Sequence, residues 1–437
     1  MGANGAKQTV ILNGTLIDGS GANATANNAI VISGNRIRSV GQLPGDLNLE
    51  DNENVEVIDA TGQWIIPGLI DAHCHLSLRQ PPIRGVRWPT SAEHATLWGA
   101  RNARRVLHSG VTSISCPGVK WFADVTVRNA INAGLLEGPR IFCAERLLAT
   151  VGSIGDRTAT FNQMPEDETS VWTPTLESMA AEVRRQIKNG VNFIKIGDSE
   201  LGYSQAFTKE ELALIVQEAH RRDTKVAIHS RGSGSTRAAA EAGVDCIFHA
   251  DLAVEEDLEA VAEAGAMILP TLTFMMNFAD FGDEIGASQR ARDEIRRNAE
   301  SCVRNMELAH KMGIRVLAGT DAGNSQITVH GECHMKEPEI FQKYIGLSPM
   351  EALVSVTSGN APWVGLDGEV GLVQEGKLAD ILILDSDPLA DITVLQDKSK
   401  MTTLIKDGRQ VDLKAALPEV ELEGAEHSVA FREYSSF

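Results

Sequence analysis

Short apolar runs alternate along most of the chain with amphipathic segments that have a helical period. Each apolar run is typical of a buried strand, and the alternation is typical of a parallel sheet covered by helices. The first predicted strand is the run IIPGLI at 65–70, and the others lie at 110–116, 140–145, 191–197, 225–230, 244–250, 267–273 and 315–321. The predicted helices lie at 92–109, 123–136, 175–189, 208–222, 234–242, 255–264, 288–312 and 348–359. Eight strand–helix pairs over roughly 300 residues predict an α/β fold of the (β/α)8 TIM barrel type.

The segment TKEELALIVQEAHRRD shows how these helices are recognised. Thr208 and Glu211 have the spacing of a capping box, in which each side chain bonds the backbone N–H of the other residue. Apolar side chains then recur every three or four residues, as in a helix with one inward face. They are Leu212, Ile215, Val216 and Ala219.

Both ends of the chain differ in pattern from the barrel region. Residues 7–64 and 376–412 contain short β-like runs separated by turn-forming residues. We therefore predict one small β-sandwich domain assembled from both termini. The predicted domain bounds are 1–64 for the first part of the sandwich, 65–365 for the barrel, and 366–437 for the second part with the C-terminal tail. The tail at 414–437 is expected to pack on the surface or on a neighbouring subunit.

Composition and charge are those of a soluble globular protein without a nucleic-acid partner. The 437 residues are 43% hydrophobic and 23% charged, and the net charge of -19 opposes binding to phosphate backbones. No apolar segment is long enough for a secretory signal or a bilayer span, so we predict a cytoplasmic protein with no membrane partner. The six cysteines have no CxxC spacing and are expected to be free, mostly buried thiols. They are Cys74, Cys116, Cys143, Cys246, Cys302 and Cys333.

Side chains of metal-ligating type lie at or near the ends of five predicted strands. His73 and His75 follow the first strand one residue apart, so they point to the same face. The complete set is His73, His75, Lys195, His229, His249 and Asp321. Because the C-terminal ends of the strands converge at one mouth of a barrel, these side chains are expected to meet there. Nitrogen and oxygen ligands of this kind are those that Zn2+ accepts.

Each of these residues also has an ordinary structural explanation. A single histidine such as His229 or His249 is more often hydrogen-bonded in the core than bound to a metal, and Asp321 can cap the turn TDAGN. Lys195 is harder to explain, because a buried ammonium is unfavourable unless it is paired or its pKa falls. Reaction of the neutral amine with CO2 would give a carbamate anion that can bridge two cations. The combination favours a metal site over six independent structural roles.

The motifs around these residues resemble those of the amidohydrolase superfamily over essentially the whole chain. PGLIDAHCHL resembles its HxH strand, FIKI the strand of its carboxylated lysine, VAIHS and IFHA its two later histidine strands, and LAGTDAG its aspartate strand. The resemblance implies a barrel hydrolase with two divalent metal ions, for which Zn2+ is favoured and Co2+ or Mn2+ stay open.

The resemblance also implies a role for each of the six residues. The implied ligands of the more buried metal are His73, His75 and Asp321, and those of the more exposed metal are His229 and His249. Carboxylated Lys195 would bridge both metals together with a hydroxide, the implied nucleophile. Asp321 would pass a proton to the leaving nitrogen.

Within the superfamily the chain is most similar to the branch of imidazolonepropionase-like and Xaa-Pro dipeptidase-like proteins, which includes hydrolases of ochratoxin-type amides, phenylureas and thiocarbamates. One departure is Arg231, two residues after the fifth-strand histidine, where many relatives carry a histidine or a neutral group. A guanidinium there suits a substrate carboxylate, and a solvated loop arginine is the alternative. His330 and Gly331 resemble a substrate-contacting pair of this branch. Tyr203 is a candidate donor to the oxyanion or to a substrate carboxylate, with a surface aromatic as the alternative.

Apolar residues are concentrated in segments expected near the barrel mouth. The loop predicted after the seventh strand, LTFMMNFADFG, contains Phe274, Met275, Met276, Phe278 and Phe281. Trp88 follows the first strand, and the long segment 147–172 with Trp172 is a candidate lid. These residues suit either core packing or a pocket for a hydrophobic or aromatic substrate group.

We therefore predict a metal-dependent amidohydrolase that cleaves a C–N acyl bond in an N-acyl amino acid, a dipeptide or an apolar amide. The alternatives are a urea, carbamate or thiocarbamate hydrolase of the same branch, a mononuclear imidazolonepropionase-like ring hydrolase, and a structural relative without activity. Lys195 counts against the mononuclear enzyme, because those relatives generally lack the bridging carbamate. The expected partner is a small-molecule substrate, and a homo-oligomer is expected.

Overall fold

Two sheet systems organise the fold in the computed structural model, which describes residues 7–50, 53–78, 91–156, 169–199, 204–417, 429, 432–435 and 437. One is a mixed sheet assembled from both ends of the chain, and the other is a ring of parallel strands. The N-terminal strands of the mixed sheet are β1 (Gln8–Leu16), β2 (Thr25–Ser33), β3 (Arg36–Gly41), β4 (Val55–Asp59) and β5 (Trp64–Pro67). Its C-terminal strands are β15 (Ile381–Leu384), β16 (Met401–Lys406) and β17 (Arg409–Gln410).

The mixed sheet folds back on itself. Its strand order is β17-β16-β15-β5-β1-β2-β3, with β4 beside β1. β3 returns to the segment before β15, since Ile37 N donates to Lys377 O at 2.9 Å and Ala379 N donates to Asn35 O at 2.9 Å. Its core consists largely of isoleucines: Ile11, Ile30, Ile32, Ile37, Ile65, Ile381, Ile383 and Ile405. The β-domain predicted from both termini is confirmed.

Parallel strands form a closed ring in the middle of the chain. They are β6 (Leu69–Asp71), β7 (Val111–Cys116), β8 (Arg140–Cys143), β9 (Leu147–Ala149), β10 (Ser170–Trp172), β11 (Phe193–Gly197), β12 (Lys225–Gly232), β13 (Cys246–Leu252) and β14 (Met267–Leu269). Strands β6, β7 and β8 pair in that order, and the other strands pair in the order β10-β9-β11-β12-β13-β14. Asn192 N donates to Cys143 O at 2.7 Å and thereby joins the two groups.

The segment predicted as the eighth strand, 315–321, completes the ring without being a continuous strand. It makes isolated parallel bridges from Val316 to Ile268 and, one residue beyond it, from Ala322 to Cys74. Asp321 has a φ of 56°, and this left-handed conformation interrupts the extended backbone. The segment lies between β14 and β6 because it bonds to both, so the predicted barrel is confirmed.

The predicted first strand at 65–70 is two strands. β5 ends at Pro67 and pairs with β15, whereas β6 begins at Leu69 and pairs with β7. Gly68 lies at the transition, where a Cβ would collide with the side chain of Thr112. The mixed sheet therefore extends past the predicted domain boundary at residue 64.

The helices outside the barrel lie close to their predicted positions. They are α1 (Ala92–Leu107), α2 (Ala123–Asn132), α3 (Leu176–Lys188), α4 (Lys209–His220), α5 (Ser233–Glu241), α6 (Glu255–Ala264), α7 (Leu272–Phe281), α8 (Gln289–Lys311), α9 (Glu337–Ile340) and α10 (Pro349–Ser355). The predicted capping box of Thr208 and Glu211 is present at the start of α4. Local capping and periodicity therefore identified most helices correctly.

Helix α7 corrects one prediction. The segment LTFMMNFADFG forms a helix, not a loop at the mouth. Met275 and Met276 are fully buried in the core, and Phe274 and Phe278 are half-buried against it. An exposed helix is recognised in sequence by apolar residues along one face only. Helix α7 is apolar on most sides, so its sequence pattern did not distinguish a helix from a loop. Core packing accounts for the two methionines.

All six cysteines lie inside the protein as free thiols. Burial raises the pKa of Cys74 to about 11, so this thiol stays protonated and unreactive near neutral pH. None of the helices in the described ranges is both long and apolar enough to cross a membrane.

Arg140 connects the barrel to the mixed sheet. It lies in β8 and its guanidinium bonds the carboxylates of Asp380, just before β15, and Asp407, just after β16. The Asp380 side chain is only 1% exposed. The arginine therefore compensates a buried negative charge at the contact between the two sheet systems.

Replacing Arg140 with alanine is expected to lower the free energy of unfolding by about 3–5 kcal/mol, because it leaves the buried Asp380 carboxylate without its cation. Chemical denaturation of the variant and the wild type measures the difference. Lys7→Ala removes an exposed ion pair with Glu56 at the edge of the mixed sheet and serves as the control. Equal stability of Arg140→Ala and Lys7→Ala would contradict the assignment.

Candidate metal centre

Three of the predicted ligands converge at one end of the barrel. The Nε2 atoms of His73 and His75 lie 3.3 Å apart, and Asp321 Oδ1 lies 3.4 Å from the first and 3.0 Å from the second. All three side chains are buried. Two nitrogens bound tetrahedrally to one Zn2+ are about 3.3 Å apart, given a Zn–N bond of about 2.0–2.1 Å. The spacing of the three atoms therefore fits one divalent cation.

Backbone contacts between the residues that follow β6 and the eighth segment hold this cluster together. Asp321 N donates to His73 O at 2.8 Å, and His75 N donates to Ala322 O at 2.7 Å. Asp71 accepts from His73 N at 3.0 Å and from the Thr320 hydroxyl at 2.6 Å. The first and eighth positions of the barrel are thus linked where the ligands project.

The protonation states of the three side chains suit metal binding. Burial lowers the pKa of His73 to about 4, so its imidazole is neutral near pH 7. Burial acts to raise the pKa of Asp321, but His73 and His75 hold it well below its usual range. His75 Nδ1 lies 2.8 Å from Gly118 O, and donation of its proton there leaves Nε2 with a free lone pair.

Asp321 Oδ1 supports the same conclusion. Solvent does not reach this atom, and apart from the adjacent imidazoles of His73 and His75 no donor in the described part of the chain reaches it. Buried acceptors are nearly always paired, so an orphaned one requires an explanation. A cation held between this oxygen and the two Nε2 atoms would satisfy it.

His229 and His249 form a second group beside the first. They come from the neighbouring strands β12 and β13, and their ring centroids are 4.4 Å apart. The His249 ring lies 5.9 Å from that of His73, and its Nδ1 is 2.9 Å from the Thr271 hydroxyl. His249 has a φ of 78°, a strained conformation that is common at functional sites. The four predicted histidines therefore lie at one site.

Lys195 points toward this site from β11. Its Nζ lies 3.6 Å from the ring centroid of Phe248, and that ring lies 4.6 Å from the His73 ring. Burial lowers the pKa of Lys195 well below its usual value, against the opposing effect of Asp321. Burial therefore shifts the equilibrium of Lys195 toward the uncharged amine.

Arg231 is not a solvated loop residue. It lies within β12, is 3% exposed, and donates through Nη1 to Asp251 Oδ2 at 2.8 Å. Its Nε is buried and has no acceptor among the described residues. Arg231 also lies close enough to His249 to lower the pKa of that imidazole, after the larger effect of burial. The guanidinium is therefore anchored by Asp251, and its charge acts on the neighbouring histidine.

The other predicted substrate residues have different outcomes. His330 is buried, and its Nε2 lies 3.1 Å from His75 O, so this nitrogen contacts the backbone of a predicted ligand. Its substrate contact stays a prediction. Tyr203 and Trp88 lie outside the described residues, as does the middle of the predicted lid, residues 157–168. Trp172 ends β10 and is half-buried.

Sequence reasoning missed residues that support the predicted ligands, either directly or through one other side chain. Asp71 alternates with His73 and His75 along the chain, and that spacing was a usable signal. His334 donates through Nδ1 to Asp71 at 2.7 Å from a distant segment. Thr271 contacts His249 across two strands. No local pattern marks the last two, because their partners are distant in sequence.

Known proteins resemble this chain along nearly its whole length. The sequence model of the amidohydrolase family matches residues 64–411. The ochratoxinase of Aspergillus niger is 28% identical over an alignment of length 445, which covers 92% of this chain and 86% of that protein. A Xaa-Pro dipeptidase solved with methionine in its active site is 27% identical, with a TM-score of 0.80 over 93% of this chain and 100% of that one. A prolidase solved with N-methylphosphonate-L-proline is 25% identical, with a TM-score of 0.80 over 93% and 99% of the two chains.

Proposed function

The chain belongs to the amidohydrolase family and is a hydrolase of carbon–nitrogen bonds, and we propose that its substrates are N-acyl amino acids or dipeptides with a free carboxylate. The observation that carries the proposal is the buried Arg231, whose charge acts on His249 and whose Nε has no acceptor among the described residues. Two relatives were solved with ligands that carry an amino-acid carboxylate, methionine and a proline derivative. A guanidinium such as that of Arg231 is suited to bind the carboxylate of ligands of this kind.

The clustered residues would hold two divalent cations. His73, His75 and Asp321 would bind one, and His229 and His249 would bind the other. Zn2+ suits these nitrogen and oxygen ligands best, and Co2+ or Mn2+ are alternatives. Cations bound there supply an activated water and polarise the scissile carbonyl.

Lys195 would join the two ligand groups as a carbamate. Its neutral amine can attack the carbon of CO2, and the nitrogen then loses one proton to give an anionic –NH–COO⁻ group. The low pKa of the buried amine favours this reaction, because only the uncharged nitrogen is nucleophilic. The anion would also replace an ammonium that the cations would repel.

Asp321 is suited to move the proton during hydrolysis. Its carboxylate is ionised, since the adjacent imidazoles hold its pKa low, and it can accept a proton from the attacking water. Delivery of this proton to the leaving nitrogen would avoid the release of an unstable amide anion. Asn324 donates to Asp321 Oδ2 at 3.1 Å and so orients the carboxylate.

A hydrolysis screen of the metal-loaded protein tests the function. The series are N-acyl amino acids, Xaa-Pro dipeptides, phenylureas and thiocarbamates, with metal content measured on the same sample. We expect turnover of the first two series, its loss on chelation, and its recovery with Zn2+, Co2+ or Mn2+. Turnover of phenylureas or thiocarbamates alone would overturn the proposed substrate class in favour of neutral xenobiotics.

Replacing Arg231 with glutamine is expected to raise KM for N-acyl amino acids by about tenfold to a hundredfold, as for the loss of a charge-assisted pair. KM for the corresponding uncharged amides is expected to stay near the wild-type value. Steady-state kinetics on matched acid and amide substrates measures the difference. Arg237→Gln, which removes a half-exposed arginine paired with Asp257, is the control. An equal loss on both substrate series would remove the proposed role of Arg231.

A further inference from the structure

The buried carboxylate of Glu337 lies at the N-terminus of α7, although Glu337 is distant from it in sequence. Its Oε1 accepts from Leu272 N at 2.9 Å. Its Oε2 accepts from Thr273 N at 2.8 Å and from the Thr273 hydroxyl at 2.5 Å. The first backbone N–H groups of a helix have no partner within the helix. Glu337 supplies acceptors for two of them and thus acts as a remote cap.

Thr271, the residue before α7, would ordinarily perform this function. Threonine is a favoured N-cap residue, because its hydroxyl can accept from the first turn. Here its side chain makes no capping bond, and its φ of 56° is left-handed. Its hydroxyl instead lies 2.9 Å from His249 Nδ1. In the tautomer that leaves His249 Nε2 free as a ligand, Nδ1–H donates to this hydroxyl.

We propose that Glu337 is a positioning residue of the catalytic site, which caps α7 so that Thr271 is left to orient His249. The inference rests on the proposed function, in which His249 binds a metal. Glu337 touches neither His249 nor any other proposed ligand in the described contacts. It acts only through Thr271 and the start of the helix.

The surroundings of Glu337 are consistent with this role. The side chain is fully buried, and no basic side chain in the described ranges pairs with it. Burial raises the pKa of Glu337 to about 8, while the three donors from the start of α7 oppose that shift. The positive end of the helix dipole also favours the carboxylate. With a pKa of about 8 the carboxyl group is mostly protonated near pH 7, and in either state its oxygens accept from the donors at the start of α7.

The same short segment also supports the opposite side of the site. His334, three residues before Glu337, bonds Asp71, which in turn accepts from His73 N. His330 bonds the backbone of His75. Residues 330–337 therefore contact the segment that carries His73 and His75, and Glu337 reaches His249 only through the start of α7 and Thr271.

The test uses Glu337→Gln, which keeps the side-chain volume but places an NH2 group against the donors of α7. Thr271→Val removes the hydroxyl directly and carries the test if Glu337→Gln does not fold. The double variant completes the cycle. Ser288→Ala removes an exposed cap from the adjacent α8 and is the control for a loss of stability alone. The tautomer of His249 is read by 15N NMR of the metal-free full-length protein, and Zn2+ affinity is read by competition with a chromophoric chelator.

We expect Glu337→Gln to lower the fraction of His249 that is in the Nδ1–H tautomer. We also expect the affinity for the more weakly bound Zn2+ ion to fall by about tenfold to a hundredfold. Thr271→Val should give the same losses, and the double variant should lose no more than the larger single one. Ser288→Ala should lower the melting temperature only. A Glu337→Gln protein that behaves like Ser288→Ala, or losses that multiply in the double variant, would overturn the inference. A wild type without Zn2+ binding or hydrolysis would instead refute the proposed function, and the tautomer measurement would still decide the role of Glu337.

Discussion

Replacing Asp321 with asparagine is expected to lower kcat by about a thousandfold or more. Proton transfer by a positioned side chain contributes about 10²–10⁴-fold to a rate, and this change also removes an anionic atom from the cluster of His73 and His75. The substitution keeps the side-chain volume, and the amide oxygen at this position can still accept the hydrogen bond from Asn324. We therefore expect the fold to persist. Steady-state kinetics at saturating metal, with circular dichroism and metal analysis on the same sample, measures the effect.

Asp283→Asn is the matched control for this change. Its side chain is 61% exposed and pairs with Arg292 on the surface, far from any proposed role in catalysis. The control should retain wild-type kcat. An Asp321→Asn protein with more than about a tenth of the wild-type kcat would show that Asp321 does not carry the proton, because general acid–base catalysis is worth at least about a hundredfold.

Replacing Lys195 with methionine is expected to abolish measurable turnover and to remove one equivalent of bound metal, while the melting temperature of the metal-free protein does not fall. Methionine has a similar shape and fills the same space beside Phe248. It removes an amine whose unfavourable burial outweighs its attraction to Asp321, so we expect no net loss of stability. Turnover, metal content and thermal unfolding are measured on one preparation.

Lys225→Met controls for the loss of a lysine from a barrel strand. Lys225 begins the neighbouring strand β12, and its Nζ bonds the backbone carbonyl of Pro362 at the other end of the barrel. We expect this variant to keep its activity and metal content. The carbamate itself is tested by 13C NMR after equilibration with labelled bicarbonate. A Lys195→Met enzyme with wild-type turnover, or a labelled wild type without a carbamate signal, would contradict the proposed bridge.

Much of the fold was predictable because it is encoded by short-range patterns. The capping box at Thr208 and the stripe that follows it predicted α4 within a few residues, and the β-like ends of the chain predicted the mixed sheet. The prediction failed where local patterns were ambiguous. Helix α7 is apolar on most sides, and the run 65–70 is continuous in hydrophobicity although Gly68 divides it between two sheets.

The candidate site was predictable in part for the same reason. His73 and His75 alternate on one strand, so their common direction follows from strand geometry alone. The environment of Arg231 did not follow, because its partner Asp251 lies on a different strand and a buried pair has no local pattern. The contact of Glu337 with α7 spans more than sixty positions and was equally invisible.

The sequence by itself determined the type and order of the elements, the family, and which side chains have the chemistry to bind a metal. Tertiary structure alone decided which of those side chains meet, which nitrogen each histidine presents, and which buried groups support them. The physical reason is that periodicity and capping act over a few residues, whereas ring closure brings together atoms from all parts of the chain. Hydrogen-bond partners and desolvation in the interior exist only after that closure.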